Sequence, residues 1–151
     1  MTLQPTLADT TNRFDGPTFL YVEDDSATAA TFRMIFQQMN RTLNIITAPN
    51  GDVALSILLG LEPYSNVSRP SMIVLDLNLP GMDGLGLMRK IGTIKDLAGM
   101  PIVVFSSSES AEDRAQASEL GALEFVHKPV DLAGFRKAVA RIYFLLLSQE
   151  C

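Results

Sequence analysis

Ile73-Val74-Leu75-Asp76-Leu77-Asn78-Leu79-Pro80-Gly81-Met82-Asp83-Gly84 decides how this chain is read. An apolar run with β-branched residues ends in one carboxylate, and a proline/glycine turn follows at once. That order puts Asp76 at the carboxyl end of a strand, where open α/β sheets keep their binding sites. A lone aspartate beside a turn is ordinarily a turn residue and no more. Here three further stretches repeat the arrangement. Phe19-Leu20-Tyr21-Val22 runs into Glu23-Asp24-Asp25, Ile102-Val103-Val104-Phe105 into Ser106, and Phe125-Val126-His127 into Lys128-Pro129. Four strand ends thus offer two groups of carboxylates, a hydroxyl and an ammonium.

Working outward, strand-like runs at Thr18–Val22, Asn44–Ala48, Met72–Leu75, Ile102–Phe105 and Leu123–Val126 alternate with helical patterns. The first helix is expected over about Ser26–Asn40, with Phe32, Ile35, Phe36 and Met39 on one face. The second covers Gly51–Leu59, capped by Asn50 and stopped by Gly60, with Val53, Ala54, Ile57 and Leu58 inward. The third covers about Gly84–Ile94, with Leu85, Met88 and Ile91 at helical spacing. The fourth starts after Ser110, whose Ser-Ala-Glu-Asp sequence resembles a capping box, and its inner face is mostly alanine. The fifth runs from after Asp131 to about Ser148. Alternating β and α units imply a parallel sheet with helices on both faces. Five units make a doubly wound α/β fold in strand order 2-1-3-4-5. The first and third strands are then neighbours, so Glu23, Asp24 and Asp76 share one crevice.

The 151 residues suffice for one domain with a core. A formal net charge of −5 disfavours a nucleic-acid surface. No apolar run approaches the length of a membrane span, and the polar start lacks a signal peptide's basic and apolar regions. Residues 1–17 read as a mobile tail, and 18–151 as the domain. The single cysteine, Cys151, allows no disulfide within one chain and fits a reducing cytoplasm. Leu61–Ser71 is a long polar connection.

Carboxylates crowded at one site repel each other and persist where a cation compensates them. An all-oxygen cluster with few protein ligands suits magnesium. Asp24 and Asp76 are the expected direct ligands. Glu23 is expected to act through water, and the backbone carbonyl of Asn78 to complete the set. One carboxylate in such a place can attack a phosphoryl group. The metal, Lys128 and the Ser106 hydroxyl would each take one equatorial oxygen.

On the motifs Val22-Glu23-Asp24-Asp25, Asp76 to Gly84, Phe105-Ser106-Ser107 and Lys128-Pro129, the chain resembles the receiver domain of two-component response regulators over roughly Thr18 to Ser148. The resemblance implies the flavodoxin-like receiver fold. It implies Asp76 as phospho-acceptor, Glu23 and Asp24 as the acidic pair, and Ser106 as switch hydroxyl. Phe125 is then the switch aromatic, Lys128 the site lysine, and the peptide before Pro129 is expected to be cis. Ser106 replaces the commoner threonine. The resemblance further implies a histidine kinase or phosphotransfer protein as donor, a downstream protein target, and output through the fourth helix, fifth strand and fifth helix. Phosphorylation would draw Ser106 toward the new group and turn Phe125 inward. Ser108 and Asn78 sit where residues can tune phosphate lifetime. Since the sequence stops after the fifth helix, a stand-alone cytoplasmic regulator is expected, of the chemotaxis or phytochrome-associated kind. Its chemistry is in cis, so it is not read as a turnover enzyme.

Plainer roles are assigned elsewhere. Asp25 and Asp83 read as helix caps. His127 is aimed away from the site by strand alternation, and the methionines read as core filler. In the fifth helix Leu132, Phe135, Val139, Ile142 and Leu146 form one inward stripe. Tyr143, Phe144, Leu145 and Leu147 exceed what one face needs, so this end of the helix is either a partner interface or is tucked beneath another part of the chain. The interface is favoured, as a homodimer through this helix, with a heterologous partner such as the kinase as its rival. Two other functions compete. A non-phosphorylated interaction module could share the fold. An aspartyl-phosphate phosphatase of the haloacid dehalogenase type would carry its nucleophile after the first strand, and here it follows the third.

Overall fold

The structure is a computed structural model and describes residues 18–149; the predicted tail 1–17 and Cys151 lie outside them. Strands β1 (Thr18–Val22), β2 (Asn44–Ala48), β3 (Met72–Leu75), β4 (Ile102–Ser106) and β5 (Glu124–His127) alternate with helices α1 (Ser26–Met39), α2 (Gly51–Leu59), α3 (Gly84–Thr93), α4 (Ala111–Glu119) and α5 (Leu132–Leu147). The strands form one parallel sheet in the order β2-β1-β3-β4-β5, as the alternation required.

The pleat sends successive side chains to opposite faces, so each strand feeds two cores. Phe19, Tyr21, Val74, Val103, Phe105 and Val126 pack under α1 and α5. Leu20, Val22, Ile73, Leu75, Ile102 and Val104 pack under α2, α3 and α4. The two sides differ in chemistry. Under α1 and α5 the buried side chains include Phe19, Tyr21, Phe32, Phe36, Phe105 and Phe135, in a chain of ring contacts. The fully buried residues of the other side are aliphatic, and α4 contributes to them only Ala117.

Short polar side chains start the helices by accepting orphan backbone N–H groups. Asp25, Asn50, Asp83, Ser110 and Asp131 each cap a helix, accepting from Thr28, Val53, Gly86, Asp113 and Gly134. Asp25 and Asp83 are thus the caps their sequence context suggested. Gly60 ends α2 in the left-handed region at φ 69°. In the α4 cap the Asp113 carboxylate does not reach back to Ser110. It accepts from the Ser108 hydroxyl at 2.7 Å, and that oxygen accepts the Ser110 N–H at 3.2 Å.

Three expectations need correction. Leu132 is 57 % exposed and Ala138 takes a place in the inward stripe of α5. Leu132 fits the helical spacing, but as the first helical residue it lies past the end of β5, where no strand remains to cover it. Tyr143, Leu145 and Leu147 are half-buried against the α1/α5 core, with the Tyr143 ring edge-on to Phe36 at 5.6 Å. The aromatic surplus of α5 is absorbed by α1, leaving Phe144, 67 % exposed, as the large uncovered group of its last turns. Finally, the Lys128–Pro129 peptide is trans, the lower-energy isomer. Among the described residues the cis peptide bond lies at Glu62–Pro63, in the α2–β3 connection.

Gly84, the first residue of α3, touches the turn that follows β3. A Cβ there would stand 2.5 Å from the Asp76 carbonyl oxygen and 2.6 Å from Leu77 Cα, both backbone atoms that cannot swing away. Gly84→Ala is expected to lower stability by about 2–3 kcal/mol through overpacking, measured by urea denaturation. A loss no greater than that of Gly92→Ala, where the added Cβ meets nothing within 4 Å, would refute this contact.

Candidate functional site

The sheet register delivers the charged groups to one corner. Tyr21 pairs with Val74 and Val22 with Leu75, so Glu23 and Asp76 step off adjacent strands side by side. The Asp76 N–H donates to the Val22 carbonyl at 3.1 Å, and the Glu23 N–H to that of Ala48 at 2.9 Å. Across β4, Ser106 pairs with His127, and the Lys128 N–H donates to the Ser106 carbonyl at 2.9 Å.

Glu23, Asp76 and Ser106 are buried. The Lys128 ammonium stands between the first two, donating to Glu23 Oε1 at 2.6 Å and to Asp76 Oδ2 at 3.3 Å. Asp76 Oδ1 accepts the Asn78 N–H at 3.2 Å. Glu23 Oε2 accepts the Asp25 N–H at 3.1 Å, and its Oε1 also accepts the Tyr21 hydroxyl at 3.0 Å. Burial alone would lower the Lys128 pKa. The hydrogen bond to Glu23 and the charges of Asp76 and Glu23 together outweigh it and hold the ammonium above its ordinary value. Burial, with the Glu23 charge behind it, raises the Tyr21 phenol, which stays a donor.

One oxygen from each of Glu23, Asp24 and Asp76 lies within 4.8 Å of the others. Asp24 is exposed, and among the described residues no hydrogen bond to its carboxylate is found. It lines an open groove of about 520 Å³ with Asn78, Pro80, Asp83 and Asp113. An all-carboxylate donor set with one free, solvent-facing member fits a small hard divalent ion. Lys128 contributes one positive charge against three carboxylates, so charge compensation is incomplete without a cation.

Around this corner stand the remaining residues singled out from sequence. Ser106 Oγ accepts the Ser108 N–H at 3.1 Å. Phe125 is half-buried toward the aliphatic side, and the Arg114 guanidinium of α4 lies 4.4 Å from its ring centre. His127 lies outside the cluster, as strand alternation requires, with its Nε2 3.7 Å from the Glu109 carboxylate. Ser108 belongs to the cap of α4 through its hydroxyl. Two contributors were not singled out from sequence. Tyr21 reads as one more apolar strand residue, and only its place two residues before Glu23, hence on the same face, hints otherwise. Arg114 sits on a polar helix whose pattern says nothing about an aromatic beneath it.

Residues 19–140 match the response regulator receiver domain. The chain is 30 % identical to response regulator Rcp1 of Synechocystis over 82 % of its own length and 84 % of that protein's. It is also 30 % identical to the probable methanogenesis regulatory protein FilR2 of Methanothrix harundinacea, over 82 % of this chain and 79 % of that one. Among solved structures, the Mn(2+)-bound form of Rcp1 superposes with a TM-score of 0.78 at 29 % identity, covering 84 % of this chain and 91 % of that one. The phosphorylated cyanobacterial phytochrome response regulator RcpA gives 0.81 at 28 %, covering 88 % and 95 %. Among the described residues no helix is long and apolar enough to cross a membrane. With the predicted strand order, the corner of acids and lysine, and these matches in hand, the chain belongs to the response regulator receiver domain family.

Proposed function

We propose that this protein is a response regulator that accepts a phosphoryl group on Asp76 from a histidine kinase or phosphotransfer protein, in the cytoplasm, with magnesium. The observation that carries the reading is the buried Asp76 carboxylate held at both oxygens, by the Asn78 N–H and by Lys128. Such a group is fixed in place and faces an ammonium, as in-line phosphoryl transfer demands. The Mn(2+)-bound structure of Rcp1 and the phosphorylated structure of RcpA support both halves of the reading by analogy.

In the transfer an Asp76 oxygen attacks phosphorus. The bond from phosphorus to the donor's imidazole nitrogen breaks, and that nitrogen keeps the electron pair. Lys128 moves no proton; its ammonium faces the charge that gathers on the equatorial oxygens. A divalent ion held by Asp24 and Asp76 directly, by Glu23 through water and by the Asn78 carbonyl would supply neutralisation of charge on the phosphoryl oxygens. Ser106 would donate its hydroxyl to the phosphoryl group. Phe125 would leave the Arg114 guanidinium and turn inward, altering the α4-β5-α5 surface that a downstream protein reads. The thin apolar attachment of α4, Ala117 alone among fully buried residues, favours that movement at small cost. The phosphatase reading fits less well, because the held carboxylate follows β3 rather than β1. A non-phosphorylated interaction module would have no need of the exposed Asp24 beside the two carboxylates that Lys128 bridges.

Asp76→Asn keeps the shape and removes the nucleophile. Incubation with acetyl phosphate and Mg2+, followed by mass spectrometry, is expected to show one added phosphoryl group on the wild type and none on the variant. Labelling of the variant at the wild-type level would refute the assignment.

The acidic run makes a second prediction, since Asp24 is free and Asp25 is a cap. Asp24→Asn is expected to weaken Mg2+ binding on the order of tenfold or more. Asp25→Asn, which replaces one good cap by another, should leave it essentially unchanged. Calorimetric titration compares them, and an equal loss in both would shift the ligand assignment by one residue.

The homodimer through α5 now rests on Phe144, which packs edge-on to Tyr143 at 5.1 Å and presents its outer face to solvent. A symmetric pair of helices is the simplest way to cover it. Sedimentation at micromolar concentration is expected to show a dimer that Phe144→Glu dissociates. A wild type that stays monomeric at every concentration would exclude it.

A further inference from the structure

Tyr21 is completely buried, yet its hydroxyl reaches the most charged point of the molecule. Its ring lies in the aromatic layer, 4.2 Å from the Phe32 ring and 6.4 Å from that of Phe105. Phenylalanine would fill this place equally well. The phenol oxygen is what the packing does not require. Burying a phenol demands a hydrogen-bond partner, and the partner here is a carboxylate that already receives the Lys128 ammonium.

Glu23 is the long member of the acidic corner, with three side-chain torsions to restrain. Left to itself a glutamate at a strand end would sample several rotamers. Here its two oxygens take three donors: Tyr21 and Lys128 at Oε1, and the Asp25 N–H at Oε2. Two of these come from β1 and its immediate continuation, so they hold Glu23 whether or not Lys128 is engaged. Lys128 then stands 2.6 Å from Glu23 and 3.3 Å from Asp76. The place of the ammonium beside Asp76 is therefore defined by a carboxylate that Tyr21 helps to fix.

We infer that Tyr21 is a positioning residue of the acceptor site: through Glu23 it sets where the Lys128 ammonium stands relative to Asp76, and how the three carboxylates are presented to a divalent cation. The inference rests on the phospho-acceptor reading above for its kinetic consequence, but its metal-binding consequence stands apart from it. Tyr21→Phe keeps the ring and removes one donor from Glu23, which can then leave the arrangement that the cluster needs.

The test uses the full chain and the variants Tyr21→Phe, Glu23→Gln and their double. Mn2+ binding to the unphosphorylated proteins is followed by electron paramagnetic resonance, and labelling rate by phosphoramidate. Circular dichroism and thermal melting report the fold. Tyr21→Phe is expected to weaken Mn2+ binding and slow labelling by about three- to tenfold each, the effect of one hydrogen bond of ordinary net strength. In the Glu23→Gln background the same substitution should cost clearly less than in the wild type, because its effect passes through the charge of that carboxylate and the amide oxygen left behind is a weaker acceptor. Mn2+ binding as tight as or tighter than wild type would overturn the inference, as would losses that add fully in the double variant. A variant that only melts earlier would make Tyr21 a core residue and nothing more. If the wild type takes no label at Asp76, the phospho-acceptor reading fails, while the Mn2+ comparison still decides the role of Tyr21.

Discussion

Everything at the carboxyl edge of the sheet depends on one ammonium lying between two buried carboxylates. Uncompensated ionised groups out of water cost several kcal/mol each. Glu23 and Asp76 stay buried because Lys128, which follows a strand two places from β3 and three from β1, donates to both. That requirement constrains the topology. β1 and β3 must be adjacent to bring the carboxylates together, and β5 must end where its following residue reaches across β4. The backbone bond from Lys128 to Ser106 ties that reach to β4. One ammonium does not balance three carboxylates, and the exposed one, Asp24, marks the side on which a cation can enter.

The sheet divides the molecule into two materials. Interlocked rings under α1 and α5 make the side bearing Tyr21 and Phe105 stiff. Under α4 there is little more than Ala117, with Arg114 resting on Phe125 from above. Aromatic rings have few torsions and large contact areas, so the first side resists displacement. A helix held by one buried alanine, a cation resting on a ring and one exposed hydrogen bond from Arg89 to Gln116 gives up little when it moves. The rigid side therefore fits the holding of charged groups, and the loose side the reporting of change.

Much of this was legible in the sequence, and for definite reasons. Strand limits at Thr18–Val22, Asn44–Ala48 and Met72–Leu75 follow from apolar runs bounded by polar residues. Caps at Asp25, Asn50, Asp83, Ser110 and Asp131 follow from short acceptors placed before helical spacing. The corner of Glu23, Asp24, Asp76 and Lys128 follows from topology alone once the strand order is known. What was hidden has a common cause. Helical periodicity says which residues share a face but not where the sheet beneath ends, so Leu132 read as buried. Nor does it say what a neighbouring helix will absorb, and Phe36 of α1 takes up Tyr143. Tyr21 was read by its ring, whereas its hydroxyl becomes informative only when the Glu23 side chain folds back toward it.

The capping arrangement of α4 has a consequence for information flow. Ser106 Oγ accepts the Ser108 N–H, and the Ser108 hydroxyl in turn holds Ser110 and Asp113 in the first turn of the helix. A displacement of the Ser106 oxygen strips Ser108 of its acceptor and so loosens the start of α4. Thermodynamic linkage makes the relation run both ways. A ligand that clamps the first turn of α4 would stabilise Ser106 where it stands, and a ligand that prises that turn open would release it. The serine triplet is in that sense a two-way lever, through which a target seated on the outside of the protein could alter the lifetime of whatever chemistry occurs at its acidic corner.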